Sequence, residues 1–391
     1  MTTTQMPGKR PANPLFSSGP CAKRPGWSLD NLKRAHLGRS HRAKVPLAEI
    51  KLLIDKSRAL LGLPQDYLLA LMPGSDTGAF EAAMWSMLGQ RGVEVLAWEN
   101  FGKVWATDIV KQLKIKDSRS TEVGYGALPD LAKVDFTRDV VFTWNGTTSG
   151  VRVPNADWIP SDRQGLTFVD ATSAAFAQRI DWAKVDVLSY SWQKVLGGEA
   201  QHGMLVLSPR AVDRLESYKP AWPLPKIFRL TKDGRIERGV FAGETLNTPS
   251  MLCVADHLDA LAWAESIGGL SALIARADAN AKVLADWVER TAWIDHLARD
   301  PKTRSNTSVC LEIVDPAVAR LDKERQAQFV KRLAAILEKE GVAYDIAGHR
   351  EAPPSLRIWC GSTIEKADLV ALTPWLDWAF AEAKAELAEA A

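Results

Sequence analysis

The chain predicts an α/β protein with a mostly parallel sheet and a second, smaller α+β domain, and three observations carry that reading. Short apolar runs alternate with longer helical patterns through the first two-thirds of the sequence, the arrangement in which helices cover both faces of a parallel sheet. After about residue 270 the order changes to helices separated by isolated strand-like runs. At 391 residues the chain also exceeds what one hydrophobic core usually serves, which favours two domains.

The elements follow in chain order. "YLLALMPG" (67–74) reads as a strand leading into the helical "GAFEAAMWSML", and "VEVLAW" (93–98) leads into "GKVWATDIVKQL". "DVVFTW", "LTFVD", "VDVLSYSW" and "GMLVLS" complete the strand set. In open sheets of this kind ligands bind outside the carboxyl ends of the strands. The Pro-rich "YKPAWPLPKIFRLTKDG" interrupts the pattern and reads as an irregular loop, followed by the helix "TPSMLCVADHLDALAWAESIGG". Beyond it lie a strand, "TSVCLEIV", and the helix "DKERQAQFVKRLAAILEKEG", with Phe329, Leu333, Ile336 and Leu337 on one face. "VAYDI", "SLRIWCG" and a last helix from about Lys366 finish the chain. The expected organisation is an N-terminal arm over 1–15, a large α/β domain over 16–270 and a small α+β domain over 271–391.

Composition narrows the function classes. Hydrophobic residues at 46% and charged ones at 25% exclude a disordered or fibrous chain. A balance of 49 basic against 47 acidic residues argues against a nucleic acid as partner. Residues 1–45 nevertheless hold nine Lys or Arg against one acid, Asp30. That arm is either a solvated tail or an attractor for an anionic substrate or partner. Four cysteines lie far apart with no Cys-x-x-Cys pair, so no metal site or disulfide framework is expected and a cytoplasmic location fits best. The start lacks the apolar segment of a secretory signal, and no apolar run reaches the roughly 18 residues of a membrane span.

Lys194 stands between the run "VDVLSYSW" and Gly197-Gly198. It is either a solvated strand end or a lysine kept for covalent chemistry. A lysine amine condenses with an aldehyde when it is neutral, and burial near other cations lowers its pKa to make it so. Pyridoxal phosphate is the obvious aldehyde. Its enzymes need the lysine, a carboxylate facing the pyridine nitrogen, an aromatic face for the ring and donors for the phosphate. Asp170 ends "LTFVD" and suits the carboxylate role, although it also fits as the cap of the turn "DATS". Gly74-Ser75-Asp76-Thr77 sits at a strand-to-helix junction, where free N–H groups and the helix dipole favour a phosphate. The same residues serve many helices simply as N-caps. Trp105 is either a ring face or a core residue. Thr147, in "FTWNGTTSGVRVP", can donate to a ring oxygen or belong to an ordinary turn.

Taken in chain order with "FSSGPCAKRPGW", "SHRAK", "SYSWQKVLGGE", "GETLNTPSM" and "GHREAPPSLRIWCG", these pieces resemble the class V branch of fold-type I PLP-dependent enzymes, and within it the phosphoserine aminotransferase family. The likeness runs from about Asn13 to the last helix. It implies a fold-type I large domain with a mostly parallel seven-stranded sheet. By the resemblance Lys194 links covalently to the cofactor, Asp170 faces the ring nitrogen, Trp105 stacks on the ring and Thr147 touches the ring hydroxyl. Asp76 and Thr77, through their backbone, and Gln193 hold the phosphate. Asn247 and Thr248 reach the site of the other subunit of a homodimer. Ser18 lies on the substrate side, Arg357 clamps the α-carboxylate, and His41, Arg42, His349 and Arg350 receive the distal phosphate or side-chain carboxylate.

The implied activity is amino-group transfer between glutamate and 3-phosphohydroxypyruvate, with serine biosynthesis and possible use in pyridoxine biosynthesis. Better-known relatives carry Gly-Arg where this chain has Asp76-Thr77. An acid beside a phosphate is unfavourable unless its side chain turns away to cap the helix, so only the backbone of this turn is expected to serve. The alternative is another class V aminotransferase, such as one acting on serine or alanine with glyoxylate; it has no need for the two His-Arg pairs. A cysteine desulfurase using Cys360 would need that residue on a mobile loop. A PLP-binding regulator would bring a DNA-binding helix pair, and a dinucleotide binder a Gly-x-Gly-x-x-Gly that "PGSDTGAF" does not supply.

Overall fold

The computed structural model describes residues 5–389. Helix α1 (Lys44–Leu61) leads through β1 (Leu68–Pro73), α2 (Ser75–Met87), β2 (Val93–Ala97), α3 (Asn100–Thr107) and β3 (Ser118–Glu122) to β4 (Asp139–Thr143). Next come the two-residue pair β5 (Asn145–Gly146) and β6 (Val151–Arg152), then β7 (Thr167–Asp170), β8 (Val187–Ser191), β9 (His202–Leu207) and α4 (Pro209–Ser217). Seven of these strands form one sheet in the order β1-β9-β8-β7-β4-β2-β3. The run from β8 to β3 is parallel, whereas β9 is antiparallel to both β1 and β8. Every residue of β2, β4, β7 and β8 is buried. Strands covered on both faces need no regular polar alternation, which explains their largely apolar sequences.

The two ends of this sheet differ in chemistry. At the amino ends, Asp139 at the start of β4 meets Arg214 of α4 at 2.7 Å, and Asp186 before β8 meets Arg163 at 3.1 Å. All four side chains are at least 95% buried, so each ion pair fixes an element that could not lose one partner cheaply. At the carboxyl ends, β1, β4, β7 and β8 deliver Pro73, Thr143, Asp170 and Ser191 to one edge.

The Pro-rich segment after α4 is less irregular than its composition implies. It holds a short 3-10 turn, Lys226–Phe228, and a hairpin of β10 (Thr231–Lys232) and β11 (Arg235–Ile236). Phe228 and Leu230 are buried, and the Phe228 carbonyl accepts from Ser86 Oγ at 2.9 Å, which ties the segment to α2. Helix α5 (Met251–Ser266) follows, its Ser250 N-cap accepting from Cys253 N, and then α6 (Gly269–Glu289).

The last part of the chain builds a second sheet, β12-β13-β14, entirely antiparallel, from β12 (Ile294–His296), β13 (Ser308–Ile313) and β14 (Leu356–Trp359). Helices α7 (Pro316–Ala319), α8 (Lys323–Lys339) and α9 (Lys366–Glu389) accompany it. The expected face of α8, Phe329, Leu333, Ile336 and Leu337, is buried together with Val330. "VAYDI" forms no ladder and makes only an isolated bridge from Tyr344 to Leu15.

The arm does not behave as a solvated tail. Trp375 Nε1 donates to Lys9 O at 2.8 Å, Tyr344 N to Pro14 O at 2.9 Å and Trp359 N to Phe16 O at 3.0 Å. A few residues on, Cys21 N donates to Gln193 O at 2.8 Å. Arg10, Lys23, Arg24 and Lys33 of its basic residues are taken up in ion pairs with Glu340, Asp256, Asp259 and Asp30. Among the described residues no single helix is long and apolar enough to cross a membrane.

Candidate active site

The turn after β8 carries Lys194. It is tight: Gly197 N donates to Lys194 O and Gly198 N to Trp192 O, both at 2.9 Å. Gly197 has φ +64, and a Cβ there would lie 2.2 Å from Ala22 O. Only glycine lets the N-terminal arm close over this turn. Lys194 is buried, its amine donating to the Ser18 carbonyl and lying 5.9 Å from the Trp359 ring centre. Burial lowers its pKa, with the Arg357 charge acting the same way; Cys21, Asp170 and Asp76 oppose the shift. A buried amine next to a guanidinium is poised to be neutral.

Lys194 faces a cleft of about 260 Å³ at the carboxyl ends of the sheet, whose walls include Asp170, Trp105, Thr147 and Gln193. Asp170 Oδ1 accepts from Thr172 N at 3.0 Å and Oδ2 from Trp105 Nε1 at 3.1 Å. It therefore closes its own turn and lines the cleft at once. The Trp105 indole is clamped edge-on against Phe80, with ring centres 4.9 Å apart. The Thr147 hydroxyl meets that of Ser173, and its carbonyl accepts from Ser308 Oγ at 2.7 Å.

The turn from β1 into α2 forms one end of the cleft. Gly74 N and Ser75 N both donate to Gln201 O at 3.2 Å, and Gly78 N donates to Gly74 O at 2.9 Å. The amides of Asp76 and Thr77 have no acceptor among the described residues and open at a helix N-terminus, a natural anion site. A Cβ on Gly78 would lie 2.1 Å from Pro73 O, so this turn is as tight as a backbone can close. The Asp76 side chain corrects one expectation: it does not cap the helix. The N-cap is Gly74, and the carboxyl turns inward to within hydrogen-bond reach of Asp170. Helix α2 packs on β9, β8 and β7.

A buried amine, a carboxylate, an indole and free helix N–H groups around one cleft fit a planar ring bearing an aldehyde and a phosphate. Other expected residues lie elsewhere. Ser18 is fully buried and offers Lys194 its carbonyl, while its hydroxyl lies 3.3 Å from Ser308 Oγ. It is not presented to open space. Arg357, on β14 opposite Cys310, exerts its charge on Lys194, Cys21 and His349, and its buried Nε has no partner among the described residues. His349 reaches the rim, 6.2 Å from the Phe101 ring; burial, Arg357 and Arg350 depress its pKa. Arg350 is exposed beside Glu351. His41 and Arg42 line a separate groove of about 450 Å³ with Glu237, Glu244 and Thr245, and Asn247 and Thr248 are exposed outside the Lys194 cleft.

Some cleft residues escaped the sequence reading. Phe101 lies one turn before Trp105 on the same face of α3, and Ser191 is two residues before Gln193; both line the cleft. Their i,i+4 and i,i+2 spacings were the available signals. Cys360 is fully buried, with its thiol pKa pushed up by desolvation, which rules out the mobile nucleophile of a desulfurase. A larger cavity, about 480 Å³, lies beside Trp222 and the Pro-rich segment but has no buried titratable group.

A phosphoserine aminotransferase of Methanosarcina mazei is 58% identical over 374 residues, which cover 96% of this chain and 98% of the relative. The chain belongs to the phosphoserine aminotransferase family. No family model matches it. Among solved structures, a phosphoserine aminotransferase from Cytophaga hutchinsonii aligns over 93% of this chain and 99% of its own, with a TM-score of 0.79 at 19% identity. A PLP-bound phosphoserine aminotransferase from Trichomonas vaginalis aligns over the same shares with a TM-score of 0.73 at 20% identity. These two likenesses show the fold, that of the fold-type I PLP-dependent aminotransferases, and the family shows the enzyme class.

Proposed function

We propose that this chain is a PLP-dependent phosphoserine aminotransferase, moving an amino group between glutamate and 3-phosphohydroxypyruvate to give O-phospho-L-serine and 2-oxoglutarate. The observation that carries the site is a buried Lys194 amine facing the Asp170 carboxylate across one cleft at the carboxyl ends of the sheet. Bound PLP supplies an electron sink that stabilises negative charge developing at the substrate Cα.

The chain's own residues supply the rest. Lys194 would hold the cofactor through its ε-amine, and that amine would serve as the general base and acid that moves the proton at the substrate Cα. Asp170 would hold the pyridine nitrogen protonated, and Trp105 and Thr147 would hold the ring and its hydroxyl. The free amides of Asp76 and Thr77, with Gln193, hold the phosphate. Arg357 would orient the substrate α-carboxylate, and His349 and Arg350 would approach from the rim.

A homodimer completes this proposal. His41, Arg42, Asn247 and Thr248 sit outside their own chain's Lys194 cleft, so they serve the cleft of a second copy, where they would meet the distal anion and the cofactor phosphate. The four-carbon phosphorylated analogue of pyridoxine biosynthesis carries the same terminal phosphate and falls within the proposed substrate range. Four free cysteines, three of them buried, suit a reducing compartment such as the cytoplasm.

The test is spectroscopic. Purified protein should be yellow, lose its visible band on adding glutamate and regain it on adding 3-phosphohydroxypyruvate. Lys194→Ala should abolish the cycle while the far-ultraviolet circular dichroism stays unchanged. Recovery with glyoxylate but not with 3-phosphohydroxypyruvate would reassign the enzyme to a different aminotransferase, and cycling by the Lys194→Ala variant would remove the assigned lysine.

A further inference from the structure

The inward turn of Asp76 puts a second carboxyl beside the one assigned to the pyridine nitrogen. Asp76 occupies the first turn of α2, is 8% exposed, and lies within hydrogen-bond reach of Asp170. The two differ in what surrounds them. Asp170 accepts from Thr172 N and Trp105 Nε1, at 3.0 and 3.1 Å. Asp76 receives no N–H, and its buried Oδ1 has no partner among the described residues. The Thr172 and Ser189 hydroxyls approach it without a well-aligned bond.

Two adjoining carboxylates removed from water cannot both be charged, so the pair keeps one proton. N–H donors stabilise an anion, and both of those present point at Asp170; the proton therefore belongs on the other member. We propose that Asp76 is a neutral carboxylic acid that donates a hydrogen bond to the Asp170 carboxylate, making it a positioning residue that keeps Asp170 ionised and aimed at the cofactor's ring nitrogen. The proposal rests on the PLP reading of the cleft.

Neighbouring charges agree with this distribution. Lys194 lies across the cleft and feels both acids, and Glu99, behind Asp170, is itself pushed up by burial. Burial and the Asp170 charge together push the Asp76 pKa well above the carboxylate range. A neutral Asp76 also removes the difficulty of an acid in a phosphate turn. The amides of Asp76 and Thr77 can face the phosphate with no opposing charge between them.

The experiment compares holoenzymes of wild type, Asp76→Asn and Asp76→Ala. Asparagine keeps a donor toward Asp170 and cannot ionise; alanine keeps neither. A hydrogen bond to a charged group is worth enough that its loss should weaken PLP binding by about tenfold or more. Absorbance titration of the apoprotein with PLP should therefore give Asp76→Asn an affinity within about threefold of wild type and Asp76→Ala at least about tenfold weaker. Infrared difference spectra at neutral pH should show that Asp76→Asn loses a C=O stretching band of a protonated carboxyl, a readout that needs no alanine variant to fold.

Absence of that band from the difference spectrum, wild-type affinity in a folded Asp76→Ala variant, or tighter PLP binding by Asp76→Asn would each overturn the proposal. The last would mean that wild-type Asp76 is charged and repelling. Failure of the wild-type protein to bind PLP would instead bring down the cofactor reading itself.

Discussion

His257 offers a measurement of how dry the floor beneath the Lys194 turn is. Its ring stacks on Trp192, with centres 4.5 Å apart and planes 8° from parallel, and neither ring nitrogen has a partner among the described residues. Burial, with smaller contributions from His202 and Lys23, pushes its pKa from 6.5 down to about 3. Above about pH 6.5 the imidazole is neutral folded or unfolded, and it adds no pH dependence. As the pH falls through the window between 6.5 and about 3, the unfolded chain takes up a proton that the folded chain refuses, and stability is lost.

Each unit below the ordinary value costs about 1.4 kcal/mol, so at about pH 5 this one group should have removed about 2 kcal/mol. His202 and His296, each pushed down to about 4, act in the same direction, while the raised acids Asp76 and Glu99 act oppositely. A variant isolates the single group: His257→Phe keeps the stack and cannot titrate. Urea unfolding of both proteins at about pH 7 and about pH 5 should show wild type losing about 2 kcal/mol more than His257→Phe. Parallel losses would mean that His257 is hydrogen-bonded or solvated in the folded state and that the dry-floor argument is wrong.

Further outcomes test the site and its scaffold. Arg357→Lys replaces a two-donor fork by a point charge and should lower kcat/KM for glutamate about tenfold or more; unchanged steady-state kinetics would remove Arg357 from the carboxylate site. Gly78→Ala forces a methyl against Pro73 O and should weaken PLP binding at least about tenfold, by the order of energy that overpacking costs, with unaltered affinity in an absorbance titration as the refutation. Arg214→Leu leaves Asp139 buried with only the Leu166 amide at 2.8 Å. It should cost about 3–5 kcal/mol in denaturant unfolding, and a loss below about 1 kcal/mol would show that the pair is dispensable.

The sequence revealed what is local. Lys194 and Asp170 could be located because a polar residue ending an apolar strand is conspicuous, and sheets of this class gather such ends at one edge. The α8 face showed itself through its spacing. The direction of β9 did not, because a strand buried on both faces reads alike whichever way it runs. Asp233-Gly234, with positive φ at both residues, was an available hairpin signal inside the Pro-rich segment, outweighed there by the surrounding prolines. The Asp76 side chain was misplaced because helix-start residues are read as caps, whereas its direction depends on the strands it meets. The ion pairs of Arg10, Lys23 and Arg24 join residues more than 200 positions apart and leave no local trace.

The arm sets an order of events for synthesis. Residues 9–16 dock on Trp375, Tyr344 and Trp359, more than 300 positions further along the chain. That stretch stays unpaired until those residues have been synthesised, so the turn at Lys194 gains its final cover late.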